Sequence, residues 1–130
     1  MNKRTENGEV VQRKKYDLDE RLIDFAATII SFIDNLPNTK PAAHLGGQLL
    51  RSGTSPSLNY GEAKSAESGK DFVHKMKVCL KELRESHNCL RILHSAKIFQ
   101  SEQEILELIG ECNKLISIFV TSINTASNNN

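Results

Sequence analysis

The chain has 130 residues, 38% hydrophobic and 25% charged, which is the size and composition of one ordinary globular domain. Its formal net charge of +1 and its 5% aromatic content, with no tryptophan, exclude a strongly basic protein and disfavour a surface that stacks on bases. Cys79, Cys89 and Cys112 form no Cys-x-x-Cys motif, so neither a disulfide framework nor a zinc site is predicted. No apolar run could cross a membrane and no signal peptide is evident, so we expect a cytoplasmic protein.

The first helix is predicted to begin after Asp17. Residues 1–16 are polar and mildly basic, and we expect them to form a disordered arm. From Leu18 to Leu36, apolar residues recur every three or four positions, which is the helical period. Asp17 can cap this helix with Glu20 three positions later, and Pro37 ends it.

The second helix is predicted to start after Thr39 and to continue through a proline. Apolar or small residues keep a spacing of three or four from Ala42 to Ala66, even across the segment 52–56. Gly53 and Pro56 lie in that segment, and interior proline costs about 3 kcal/mol in a helix. The spacing favours one helix with a kink near Gly53, and two separate helices are the alternative.

Four residues in or near this kink are predicted to be structural. The hydroxyl groups of the segment 52–57 have no evident base beside them, so we expect them to bond to backbone carbonyls at the kink. Asn59 is a polar residue at a core position, and a buried amide there would fix helix register in a network with Arg51, Tyr60 and Glu62. The predicted structural set is Ser52, Gly53, Pro56 and Asn59.

The third and fourth helices are predicted to begin after Ser68 and Ser101, each with an acidic residue three positions later. Their apolar stripes again follow the helical period. Because the connections between the four helices are short, neighbours must run antiparallel. The sequence thus predicts an all-α, antiparallel up-down four-helix bundle over residues 17–126, with a kinked second helix and a disordered tail at 127–130.

The fourth helix is apolar over more than one stripe. Ile109, Ile116 and Val120 flank the main stripe and widen it. Two explanations remain open: a second copy of the chain covers the extra width, or the helix is more deeply buried than its neighbours.

Basic residues of the third helix share one arc opposite its core stripe. At 100° per residue they fall within about 80° of one another. The residues are Lys70, Lys77, Lys81, Arg84 and Arg91. Such a row is what neutralisation of phosphates requires. The alternative is a solvated face on which Lys81 pairs with Glu85 at i+4.

Catalytic and metal sites are not predicted. No Glu-x-x-His motif is present, and His87 and His94 are two helical turns apart, too far to bind one ion. A small α-helical RNase would need an arginine four to six residues before a histidine, whereas Arg84 and Arg91 each precede a histidine by three. We therefore expect no enzyme activity, no cofactor and no small-molecule substrate.

Several motifs resemble those of a four-helix bundle family that is encoded in intervening sequences of bacterial large-subunit ribosomal RNA genes. Members of this family are labelled ribosomal proteins. The resemblance covers about residues 17–125 and is most specific at the Leu-Leu-Arg-Ser-Gly-Thr-Ser run. The matching segments are 48–55, 59–63, 66–68, 71–72, 75–77 and 80–86, with Asp17, Leu18 and Leu22 at the start. The chain departs from the family pattern at Asn88-Cys89, where aromatic residues are common, and at Gly46-Gly47.

This family is similar to the accessory protein of diversity-generating retroelements, a basic ring of five bundles. The resemblance implies a homopentamer and binding to RNA or DNA, and it supplies no catalytic residues. We therefore expect a self-associating, non-enzymatic bundle that binds nucleic acid. Its expected phosphate contacts are Arg51, Lys70, Lys77, Lys81, Arg84 and Arg91. The alternatives are a module that binds an acidic protein and, less favoured, a helical RNase.

Overall fold

The computed structural model describes residues 4–6, 9–11 and 17–129, and within 17–129 all regular structure is α-helical. The four helices are α1 (Leu18–Asp34), α2 (Lys40–Lys64), α3 (Gly69–Ser95) and α4 (Glu102–Asn128). Each helix packs against its sequence neighbours, and α4 returns to α1, so the bundle closes. The predicted up-down four-helix bundle is confirmed.

Two short strands lie in the segment predicted to be a disordered arm. β1 (Arg4–Glu6) pairs antiparallel with β2 (Glu9–Val11), with Arg4 opposite Val11. The rest of the arm, residues 1–3, 7–8 and 12–16, lies outside the described residues. At the other end, α4 continues to Asn128, two residues beyond the predicted end of the bundle.

All four helices begin at the residues predicted to cap them. The side chains of Asp17, Thr39, Ser68 and Ser101 each accept a hydrogen bond from the backbone N–H three residues later, at 2.8–3.3 Å. Each bond satisfies a donor that the first turn leaves without a partner. These caps therefore determine where each helix begins.

The helix α2 is continuous through Pro56, as its spacing predicted. Pro56 has no N–H to donate to Ser52, and it is buried. The hydroxyls nearby bond to carbonyls one turn back: Thr54 to Leu50 and Ser55 to Arg51, each at 2.7 Å. These hydroxyls therefore bond to backbone carbonyls, as predicted. The carbonyls are those of Leu50 and Arg51, whereas the carbonyl that Pro56 leaves without a donor is that of Ser52.

The core is the predicted set of apolar stripes, and buried sulfur and hydroxyl groups complete it. All three cysteines are free and buried. Cys112 donates to the carbonyl of Leu83 at 3.2 Å, and Ser86 donates to Ser52 at 2.9 Å between fully buried side chains. Burial raises the pKa of the Cys79 and Cys112 thiols to about 12, so both stay protonated.

The extra apolar width of α4 is explained within the single chain. Ile109 and Ile116 are partly buried and pack against the chain's own core. Leu106 is the large apolar side chain of α4 that is most exposed, at 47% exposure. Of the two explanations for the width, deeper burial accounts for these two residues, and α4 by itself provides no argument for a second copy.

Candidate nucleic-acid interface

The five basic residues predicted on α3 lie in one exposed row. Lys70, Lys77, Lys81, Arg84 and Arg91 are all solvent-exposed. At 1.5 Å per residue the row is about 32 Å long. We call these five residues the basic ridge.

The carboxylates of α3 point away from the basic ridge. Glu82 and Glu85 both accept from the guanidinium of Arg51 on α2, the former at 2.9 Å. Asp71 lies 3.8 Å from Lys75, one turn along the same helix. Within residues 17–129, no side chain of the basic ridge forms an ion pair within 4 Å. The expected alternative, a Lys81–Glu85 pair, is not formed because Glu85 bonds to Arg51.

Arg51 was predicted to contact phosphate, but its guanidinium is occupied by the chain's own carboxylates. The hydrogen bonds that Arg51 donates to Glu85 and then to Glu82 raise the Arg51 pKa above its ordinary value. These contacts tie α2 to α3 on the side of α3 away from α4. Arg51 is thus separate from the basic ridge, and we infer that it holds the two helices together.

The network predicted around Asn59 is not observed among residues 17–129. Asn59 is half-buried, and its expected partners have other contacts. Tyr60 packs its ring edge-on against Phe119, with centroids 6.1 Å apart, and Glu62 lies 3.5 Å from Lys75. Instead, the buried polar pair that links α2 to α3 is Ser52 with Ser86. Sequence reasoning gave Ser52 a structural role but missed its partner.

The histidines of α3 have structural surroundings. His94 Nε2 lies 3.0 Å from Glu102, and its ring stacks on Phe99, so it fixes the connection from α3 to α4. Burial, and then the charge of Arg91, lower the pKa of His87. No group of three metal-binding side chains occurs in the part of the chain that the structure describes. Over the same residues, no helix is long and apolar enough to cross a membrane.

Charge is segregated between the two sides of the bundle. The helix α3 contains six basic and three acidic residues, whereas α1 and α4 each contain one basic and four acidic. Between α1 and α4 lies a groove of about 460 Å³, floored by Phe25 and Leu108. Its acidic lining residues are Asp24, Glu104, Glu107 and Glu111. A polyanion is therefore repelled from the α1–α4 side and attracted to α3.

Similarity to known proteins agrees with the fold. Residues 14–120 match the model of the 23S rRNA-intervening sequence protein family. The chain belongs to this family. A solved structure of a protein of unknown function from the S23 ribosomal protein family of Bacteroides thetaiotaomicron superposes with a TM-score of 0.76 at 25% identity. The match covers 82% of this chain and 98% of that one. No curated protein matches the sequence.

Proposed function

We propose that this intervening sequence protein is a non-enzymatic, self-associating bundle that binds RNA or another nucleic acid through the basic ridge. The observation that carries the proposal is the row of five exposed cations, about 32 Å long, without carboxylate partners among residues 17–129. If carboxylates were paired with these five side chains, they would weaken the attraction of the row for an anion. Here the acidic residues of α3 are used elsewhere.

Lysine and arginine side chains that contact phosphates position a nucleic acid without reading its sequence. The ridge is suited to this because its residues are spaced along one line and the adjoining α1–α4 side is acidic. We therefore expect binding that depends on charge and salt and that varies little with base sequence.

The test is a pair of matched charge reversals. The ridge variant Lys77→Glu/Lys81→Glu should weaken binding to a fluorescent RNA duplex at least tenfold, as measured by anisotropy. The control Lys40→Glu/Lys114→Glu changes the net charge equally but lies outside the ridge, and it should retain most of the affinity. Equal losses in both variants would point to net charge alone and contradict the proposal. The alternative is that the ridge binds an acidic protein. It would be favoured if the wild type did not bind nucleic acid and if the ridge were needed to capture an acidic protein after nuclease treatment.

We further propose that the chain self-associates through the outer side of α1 and α2. Ile23, Ile30, Leu50 and Leu58 are between 43% and 71% exposed, and they are four of the six large apolar side chains most exposed in the described residues. Contacts of Gly46 and Gly53 with Ile33 and Ile29 show which sides of the two helices meet. At 100° per residue, Ile23, Ile30 and Leu50 lie beside that contact, and Leu58, about 140° around α2 from Gly53, points outward from the helix pair.

On this outer side, α2 differs from the rest of the surface, whereas α1 carries Asp19 and Asp34 within about 40° of Ile23 and Ile30. Between Pro41 and Gly61 the helix α2 has one charged residue, Arg51, and that residue is bonded to α3. Exposed apolar side chains grouped on one side of a protein are typical of sites of protein association. The lack of charge along α2 also allows copies of the chain to approach there without placing like charges together.

Light scattering tests the assembly directly. The wild type should have about five times the chain mass of 14.5 kDa, the number that the family resemblance implies. Leu58→Lys should shift the mass toward the monomer, because Leu58 is 71% exposed and its replacement does not disturb the core. Leu106→Lys, on α4, is the matched control and should leave the mass unchanged. A monomeric wild type would refute self-association, and an unaffected Leu58→Lys variant would refute this face.

A further inference from the structure

A row of uncharged polar side chains on α4 lies beside the basic ridge. These side chains, all exposed, are Asn113, Ser117, Thr121 and Asn124, and we call them the polar strip. The acidic and basic residues of α4 after Glu102 lie on the other side of the helix, where they line the groove with α1. The side of α4 that adjoins the ridge therefore carries amides and hydroxyls, together with the exposed Leu106, and no carboxylate beyond Glu102.

Two contacts fix how the polar strip is aligned with the ridge. Cys112 bonds to Leu83, and His94 bonds to Glu102, so α3 and α4 run antiparallel in a defined register. This register places Lys77 near the level of Ser117. It also places Lys81 near Asn113, and Lys70 near Asn124. The cationic and the uncharged polar side chains therefore form two adjacent rows, one on each helix.

The two rows provide different hydrogen-bonding chemistry. Lysine and arginine only donate, whereas amide and hydroxyl side chains both donate and accept. The ribose 2′-hydroxyl is likewise a donor and an acceptor, and double-stranded RNA displays it in a wide, shallow minor groove. Phosphates only accept hydrogen bonds, so lysine and arginine suit them. Ribose hydroxyls both donate and accept, so amide and hydroxyl side chains suit them.

The described surface has no exposed phenylalanine or tyrosine ring on which unpaired bases could stack. Proteins that bind single strands stack bases on exposed aromatic rings. Among residues 17–129 every phenylalanine and tyrosine is buried or half-buried. A ligand that keeps its bases paired and presents its backbone fits this surface better than an unpaired strand.

We propose that the ligand of this surface is double-stranded RNA, held by its phosphates on the basic ridge and by its ribose 2′-hydroxyls on the polar strip. This inference rests on the proposed nucleic-acid function and specifies it. It assigns Asn113, Ser117 and Asn124 to binding, residues for which the sequence motifs gave no role.

The experiment compares three probes of one sequence: double-stranded RNA, double-stranded DNA and single-stranded RNA. The variant Asn113→Ala/Ser117→Ala/Asn124→Ala removes three of the four residues of the polar strip, and alanine favours the helix, so the fold should be retained. The control Ser31→Ala/Gln48→Ala/Thr125→Ala changes three exposed polar residues elsewhere. Affinities by anisotropy should show that the wild type prefers the RNA duplex about tenfold over the other two probes.

The strip variant should bind RNA and DNA duplexes almost equally, and its salt dependence should be that of the wild type because no phosphate contact is lost. The control should keep the preference for RNA. If the wild type binds the duplexes equally, or prefers the single strand, the assignment of double-stranded RNA is wrong while ridge binding stands. If the strip variant keeps the preference for the RNA duplex, the polar strip does not contact the ribose hydroxyls and that part of the proposal is wrong. Wild-type protein that binds none of the three probes would overturn both proposals.

Discussion

Replacement of Gly53 by alanine tests the packing of α2 against α1. A methyl group at Gly53 would lie 3.0 Å from both Cγ1 and Cγ2 of Ile29, which is tighter than nine in ten such contacts in proteins. Ile29 is fully buried and β-branched, so its side chain cannot rotate away without disturbing the core. Overpacking of this kind costs about 1–3 kcal/mol.

The helix itself gains from the same substitution. Alanine is about 1 kcal/mol more favourable than glycine in a helix interior. The clash and this gain oppose each other, and Gly53→Ala should have a net effect between neutrality and a loss of about 2 kcal/mol. Gly61→Ala supplies the gain without the clash, because nothing lies within 4 Å of its added carbon.

Urea unfolding followed by circular dichroism measures both variants. Gly61→Ala should be more stable than the wild type by up to about 1 kcal/mol. The two variants should differ by about 1–3 kcal/mol, the cost of the clash alone. Equal stabilisation of both would show that α1 and α2 do not approach closely at Gly53, and the described packing would then be wrong.

Two further predictions concern the α3–α4 connection and the buried thiols. Lys97 has a φ of 60°, which is a left-handed conformation. The N–H groups of Lys97 and Ile98 donate to the carbonyls of His94 and Leu93, respectively, and so close the end of α3. Lys97→Gly should raise the free energy of unfolding by about 1 kcal/mol in thermal or urea denaturation, and Lys97→Ala should not; equal effects would argue against the left-handed backbone. The thiols of Cys79 and Cys112 have a pKa raised from 9.0 to about 12, so the unfolded thiols ionise first and stability should fall as pH rises from 9 toward 12. A thiol reagent at pH 8 should react with the native protein only as fast as it unfolds, and immediate reaction of these two thiols would contradict their burial.

The fold could be predicted from the sequence because its signals are local. Caps at Asp17, Thr39, Ser68 and Ser101 and the spacing of apolar residues are each read within one helix, and helical phase was a better guide than propensity at Pro56. The exposed position of the basic ridge followed from the same 100° rotation per residue.

The contacts between helices could not be predicted in this way. Arg51 bonds to residues more than 30 positions away, and this depends on the crossing of α2 and α3. The Ser52–Ser86 pair has the same origin. Sequence spacing showed which side chains share one helix face. It did not show which face of the next helix they meet, so it could not identify Arg51 as the partner of Glu85.

The central claim is that the basic ridge binds phosphate groups, and the salt dependence of RNA binding tests it most directly. If the five residues of one copy each neutralise a phosphate, the logarithm of the affinity should fall with the logarithm of salt concentration with a slope of about −4 to −5. Replacing Lys77 and Arg84 by glutamine should make the slope shallower by about 2. A slope near zero, or one that these replacements leave unchanged, would contradict the account.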